Sequence, residues 1–409
     1  MNTETDVNAH VNAETDINAQ TDLNTETDVN AHVSAETDVN AETDVRIAVA
    51  MAGTGDWALD GLGPALRAIP GVTIVACADP DLPRARRFAA ALDIGHVYPG
   101  LDEMLAAEPG LGLLVVSTPD DHHPVAISRA AAAGLAVFCE KPLANSAADA
   151  DLLADAVEQA GIAATVGFSF RYSDAVQQLR RDLQAGRLGT PWLLELHEHN
   201  PQFHPVIGRP LTWKGDPRHA GGGAIFEYGA HVVDLGCWLL GPASHVAANF
   251  ATVVPQAVLD DIATVQLRYR SGALGTLVTS WVLGGGFPGI RLRLHGSEGR
   301  ADVRLGDDPD SGERYIRYAP SGEVVSEAGL APGAPGKATC VTRHMRDLLA
   351  VIAGTAVRYP DTMPTVRSSA HVQRVLDTAL LAAGHAVPVE GPRRKRPRPP
   401  PVNGPGCPP

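Results

Sequence analysis

The sequence is short of several things, and each shortage removes a class of protein. Its 409 residues include only five cysteines, at 77, 139, 237, 340 and 407, with no two spaced as a CxxC pair. Cys77 and Cys139 fall inside apolar stretches. They read as small buried hydrophobes in a reducing compartment, which argues against a disulfide framework. No apolar run is long enough to cross a bilayer, and the start of the chain lacks the basic stretch and apolar core of a secretory leader. These gaps point to the cytoplasm and away from a membrane. No HExxH occurs, which removes the commonest zinc-hydrolase pattern. Basic residues are missing from positions 1–45, which hold 11 acids, so the net charge of −14 leaves −14 + 11 = −3 for the rest.

What is present has ordinary globular composition, 44% hydrophobic and 20% charged. The length exceeds one compact core, so two domains are expected between two tails. The expected divisions are 1–45, 46–168, 169–390 and 391–409. In the first segment Glu-Thr-Asp-Val or -Ile recurs at 4, 14, 26, 36 and 42, with Gln-Thr-Asp-Leu at 20. Those intervals match no structural repeat, and one charge sign with little apolar content predicts disorder. The last segment contains Arg393-Arg394-Lys395-Arg396-Pro397-Arg398-Pro399. It could touch nucleic acid, but no folded basic surface accompanies it, and a solvated tail is the expectation.

Ile47 to Met51 is a short apolar strand followed at once by Gly53-Thr54-Gly55-Asp56-Trp57-Ala58 and a helical stretch. This G-x-G-x-x-A in strand–turn–helix context places backbone N–H groups where a pyrophosphate would sit. Asp56 and Trp57 are bulkier than such a turn usually carries, and Asp56 is a candidate helix cap. A second strand, Val72 to Ala78, ends in Asp79, where an acid can hold both adenine-ribose hydroxyls and repel a 2′-phosphate. NAD is therefore favoured over NADP, with Arg84, Arg86 and Arg87 as the opposing signal. Leu113 to Val116 leads to Thr118-Pro119 and His123. The apolar stretch Leu135 to Phe138 leads to Cys139-Glu140-Lys141-Pro142, which fixes a lysine at the carboxyl end of a buried strand. Taken alone, the tetrapeptide favours the plainer reading of that lysine as a solvated strand end. The alternation of strands and helices predicts an α/β fold, an N-terminal doubly wound parallel sheet of the Rossmann type.

Further on, Ile262 to Arg270, Ala273 to Leu283 and Ile290 to His295 alternate with period two. They predict a C-terminal α+β domain with a largely antiparallel, open sheet covered on one face. Between them, Gly221-Gly222-Gly223 opens a helix whose Glu227, His231 and Asp234 form a titratable stripe beside an apolar one. A solvated helix face is the plainer alternative. Arg171, Tyr172, Trp213, Lys214 and Asp234 are candidates to face substrate, Arg171 for an anion and Trp213 for a sugar face, with packing or a surface pair as the equal alternative for Arg171, Tyr172, Trp213 and Lys214. His197 with His199, and Glu227 with His231, permit a zinc reading, but no cysteine joins them and no metal is expected.

The turn, Thr118-Pro119, His123, the run Glu140-Lys141-Pro142-Leu143-Ala144 and the glycine-led helix together resemble the Gfo/Idh/MocA family of nicotinamide-dependent oxidoreductases, over about Arg46 to Glu390. The resemblance implies that Gly53, Gly55, Asp56, Trp57, Ala58, Asp79, Thr118, Pro119, His123, Glu140 and Lys141 line the cofactor. It also implies a catalytic set of Lys141, Glu227 and His231, and a homodimer or homotetramer formed through the open sheet. The family's G-G-G-x-x-x-D-x-G-x-H-x-x-D signature carries aspartate where this chain has Glu227, one methylene longer. His231 would serve as general base, Lys141 would stabilise the alkoxide, and Glu227 would hold a second hydroxyl or the imidazole. The expected activity is hydride exchange between NAD and a secondary alcohol or ketone of a polyol, sugar or sugar derivative. A redox-neutral glycosidase or lyase on trapped NAD, and a non-catalytic NAD-sensing regulator, are the alternatives.

Overall fold

The structure, a computed structural model, describes residues 46–384 apart from 207, 255–256, 285–288, 307–311 and 330–336. The expectations made for the two tails lie outside the described residues.

Strands β1 (Ile47–Ala52), β2 (Val72–Ala78), β3 (His96–Tyr98), β4 (Leu113–Val116), β5 (Ala136–Cys139) and β6 (Ala164–Val166) form one sheet in the order 3-2-1-4-5-6. Every pairing is parallel. Strands β4 and β5 are buried along their whole length, which is why they read as unbroken apolar runs. Helices α1 (Gly63–Arg67), α2 (Leu82–Leu92), α3 (Leu101–Ala107), α4 (His123–Ala132) and α5 (Ala147–Ala160) connect them. The order reverses between β1 and β4, and ligands of such sheets bind in the crevice at that point.

After α6 (Asp174–Gln184) comes a second, eight-stranded sheet. Its members are β7 (Pro191–His199), β8 (Ala243–Ala251), β9 (Ile262–Tyr269), β10 (Leu274–Ser280), β11 (Gly289–Gly296), β12 (Gly299–Gly306), β13 (Glu313–Tyr318) and β14 (Val324–Gly329). They lie in the order 14-13-12-11-7-10-9-8, antiparallel except where β7 meets β10. Leu194, Leu196, Leu292 and Leu294 point into the core, while Arg291 and Arg293 lie on the uncovered face. The period of two therefore has the expected physical cause. Helix α7 (Ala230–Leu240) packs on the inner face.

Two C-terminal helices, α8 (Lys337–Ile352) and α9 (Val366–Ala383), return to the first sheet. Val341, Met345 and Leu348 of α8 join Leu62, Leu66, Val115 and Phe138 in one apolar cluster, and α9 packs along α5. Sequence from beyond residue 330 thus completes the core of the nucleotide half. His344 of α8 is fully buried, 2.8 Å from Thr165 Oγ1 and 3.1 Å from Ser169 Oγ.

Candidate active site

The glycine turn is built as its chemistry requires. Gly53 has φ +90°, and a Cβ there would lie 2.4 Å from the Ser117 carbonyl oxygen, so only glycine fits. At Gly55 an added Cβ would meet nothing within 4 Å, which leaves open space over the turn for a ligand backbone. The helix begins with a π turn, Ala58–Leu62. Asp56 is exposed and makes no capping hydrogen bond, a correction to its expected role as a cap. Trp57 donates from Nε1 to Glu140 Oε1 at 2.9 Å, tying this turn to the tetrapeptide after β5.

Asp79 is buried at the end of β2 and heavily engaged. Its Oδ2 accepts from Thr54 N (3.0 Å), Thr54 Oγ1 (2.8 Å) and Arg84 Nε (3.2 Å), and its Oδ1 accepts from Asp81 N (2.9 Å) and Arg84 Nη2 (2.7 Å). Burial pushes the carboxyl up, but these donors outweigh it and hold it below its usual range.

The turn after β4 presents Thr118, whose Oγ1 is buried and has no partner among the described residues, as a group awaiting a ligand would be. His123 does not reach the cleft. It is wholly buried with Nδ1 2.8 Å from the Pro142 carbonyl and Nε2 3.1 Å from the Thr118 carbonyl. Burial lowers it to about 4, so it is neutral and staples the two turns together. The reading of His123 as a cofactor ligand is corrected to a positioning role.

Lys141 follows β5 and crosses to the second half of the molecule. Its Nζ donates to the Glu227 carbonyl at 2.8 Å and lies 3.1 Å from Glu227 Oε2. Lys214 Nζ reaches Glu227 Oε1 at 2.6 Å, so one carboxylate bridges two ammonium groups. Burial pulls the Lys141 pKa down, but the charges led by Glu227 and then Glu140 outweigh it, so its pKa is raised and it stays a cation. Burial pushes Glu227 up, and Lys141 and Lys214 more than offset this, leaving it well below the carboxylate range. Four residues beyond Glu227, His231 is 3% exposed, with its ring edge-on to Phe170 at 4.9 Å and Phe168 at 6.2 Å. Burial, then the cations Lys141 and Lys337, lower it well below 6.5, so the imidazole is neutral at physiological pH. Its Nδ1 has no partner among the described residues. The glycine entrance is held by Asp260, which accepts from Gly223 N at 2.7 Å and Ile225 N at 2.8 Å.

Other expected substrate contacts need correction. Arg171 and Asp234 are 4% and 1% exposed and satisfy each other, Nε to Oδ2 at 2.8 Å, with Arg171 Nη1 also donating to the Thr362 carbonyl. Charges so deeply buried must be paired, and these are. Tyr172 is fully buried, stacked on His344 at 4.9 Å. Lys214, which reaches Glu227, and Trp213 beside it lie on a loop fastened to the first half where Asn145 Nδ2 donates to the His219 carbonyl at 3.0 Å and His219 Nδ1 lies 3.0 Å from Asp121. His197 and His199 sit on β7, and among the described residues no group of three or more His, Cys, Asp or Glu is arranged to hold a metal.

Two residues of the site escaped sequence reasoning. Asp120 is buried and feels Lys141, Glu227 and Lys214, and burial drives it up to about 8. Its place directly after Thr118-Pro119 was the available signal. Lys337 lies over the Trp57 ring at 4.4 Å and the Phe170 ring at 5.8 Å. Nothing local could have placed it, since α8 arrives from far along the chain.

Residues 47–168 match the profile described as "Oxidoreductase family, NAD-binding Rossmann fold", and residues 176–302 match the GFO/IDH/MocA C-terminal domain. A D-apiose dehydrogenase of Paraburkholderia graminis is 30% identical over 63% of this chain and 68% of its own. A levoglucosan dehydrogenase of Pseudarthrobacter phenanthrenivorans is 26% identical over 57% of this chain and 64% of its own. An Agrobacterium radiobacter oxidoreductase, solved with NAD+, L-tartaric acid and magnesium, superimposes with a TM-score of 0.70 at 21% identity. That alignment covers 83% of this chain and 97% of the other, and the likeness is one of fold.

Proposed function

The chain belongs to the Gfo/Idh/MocA family of oxidoreductases, with an NAD-binding Rossmann fold, and from that premise we propose that it moves a hydride between nicotinamide and a secondary alcohol or ketone of a sugar or polyol. The observation that carries the reading is the contact of Lys141 Nζ with Glu227 at 2.8 and 3.1 Å. It brings an ammonium from the nucleotide half against the helix that bears a buried, neutral imidazole.

The residues present fit a dinucleotide. Gly53 and Gly55 leave the turn clear, Ala58 starts the helix, Asp79 stands at the ribose end, and the unpartnered Thr118 Oγ1 and Pro119 border the crevice. When bound, the nicotinamide would supply the hydride acceptor or donor. Everything else falls to the chain. Lys141, held cationic, orients the reacting hydroxyl and stabilises negative charge as its proton leaves. His231, held neutral, takes that proton in oxidation, and in reduction its protonated form gives the proton to the carbonyl oxygen. Glu227 fixes Lys141 and Lys214 relative to His231, so it positions the cation instead of acting as a base. Asp120 remains protonated below pH about 8, which avoids a third carboxylate charge beside Lys141. Trp213, half-buried beside Lys214, offers a flat apolar surface to a sugar ring.

The relatives named dehydrogenases favour net oxidation over a redox-neutral cycle or a non-catalytic sensor. The test is a panel of polyols and aldoses incubated with NAD, read by the absorbance of reduced nicotinamide. Turnover on at least one polyol or sugar supports the reading, and none across the panel, with cofactor bound, would exclude it. We also place the protein in the cytoplasm and expect copies to pair through the uncovered sheet face. The four described cysteines are all unbridged, and among the described residues no helix is long and apolar enough to cross a membrane.

A further inference from the structure

The acid at the end of β2 ordinarily makes such a site select NAD, because it accepts from the ribose hydroxyls and repels a 2′-phosphate. In this chain neither property is free. Asp79 accepts five donors, two from Thr54, one from the Asp81 amide and two from the Arg84 guanidinium, where a carboxylate has about four lone-pair sites. Its acceptor capacity is full before any nucleotide arrives. Its charge is matched by Arg84, whose Nη2 lies 2.7 Å away and whose side chain is 44% exposed, with Nη1 3.7 Å from Asp81 Oδ2.

Of the five donors, two are backbone amides and one is the buried Thr54 hydroxyl, whereas the two from Arg84 belong to an exposed side chain. Thr54 is pinned by the glycine turn, and the Asp81 amide begins α2. Asp81 itself is occupied in capping α2, accepting from Arg84 N at 3.0 Å. Arg87, exposed one helical turn beyond Arg84, adds positive charge, and exposed Asp56 and Asp81 add negative charge at the rim. A guanidinium with exposed donors is the side chain best suited to a phosphate oxygen pair.

We propose that Arg84 is the cofactor-specificity residue of this enzyme, and that by capping Asp79 it lets the site take NADP as well as NAD. With NAD, Arg84 swings aside and Asp79 receives the ribose hydroxyls. With NADP, Arg84 stays and meets the 2′-phosphate while neutralising Asp79. The inference rests on the dinucleotide-binding reading above.

The test is fluorescence titration of the full chain with NADH and with NADPH, for the wild type, Arg84→Ala and Arg84→Gln. The wild type is expected to bind the two within about tenfold of each other. Both variants are expected to weaken NADPH by about tenfold or more while NADH is unchanged or tighter, since Asp79 is uncovered. Turnover ratios for NAD and NADP should move in parallel. Wild-type binding of NADH about a hundredfold tighter than NADPH, or a ratio that neither variant shifts, overturns the proposal and leaves the dehydrogenase reading standing. Failure to bind either nucleotide overturns both.

Discussion

At the residue scale, the site depends on which groups carry charge. His231 is lowered below its ordinary value, so the base form needed for alcohol oxidation persists throughout the neutral range and is lost only as pH falls through that lowered value. Asp120 has the opposite sense, neutral below about pH 8 and anionic above it. A new negative charge there would compete for Lys141 with the developing alkoxide. We therefore expect kcat/KM to decline as pH rises through about 8, and Asp120→Asn, which stays neutral, to flatten that limb in a pH–rate profile. A limb unchanged in the variant would assign the titration elsewhere. Glu227 is the departure from the family's aspartate, and the structure gives it a use. Shortened by one methylene, about 1.5 Å, it could not span both Lys141 and Lys214. Glu227→Asp should lower kcat with little effect on KM for the cofactor, as steady-state kinetics would show.

At the scale of elements, what was legible in the sequence is what depends on short-range rules. The glycine turn, the buried strands β1, β4 and β5, and the alternation in β9 to β11 all follow from local sterics and period. Strand β3 was missed because three half-exposed residues carry no period, and α8 was missed because threonines, Arg343 and His344 interrupt its stripe. The charged residues misread as substrate contacts, Arg171 and Asp234, show a different limit. A sequence reveals titratable residues in register with the catalytic ones, but not whether a partner already occupies them. Removing Arg171 strands Asp234 in the core, so Arg171→Ala should cost about 3–5 kcal/mol. The deficit should shrink at lower pH as the carboxyl, already raised by burial, protonates. Calorimetric unfolding against pH checks this, and unchanged stability with lost turnover would return Arg171 to the substrate. Gly223 is another such element constraint. A Cβ there would lie 2.0 Å from the Asp260 carbonyl oxygen, so Gly223→Ala must shift the entrance to the Glu227–His231 helix and should reduce both stability and kcat. An alanine variant with wild-type melting and turnover would show that the entrance tolerates movement.

At the scale of the molecule, the two sheets cooperate through a few side chains that cross between them. Lys141 reaches Glu227, Asn145 and Asp121 hold the loop that carries Lys214, and α8 brings Lys337 over Trp57 while sealing the nucleotide half. The halves were recognisable separately from their periodicities, but their mutual placement was not, because it is fixed by contacts between residues from 74 (Asn145 to His219) to 280 (Trp57 to Lys337) positions apart. The most direct test of the account compares Lys141→Met and His231→Ala with the wild type on one substrate, measuring NADH binding and single-turnover hydride transfer together. Each variant should bind NADH within a few fold of wild type and transfer hydride about 10²–10⁴-fold more slowly. Hydride transfer at the wild-type rate in either variant would contradict the claim that this amine and this imidazole act over one nicotinamide.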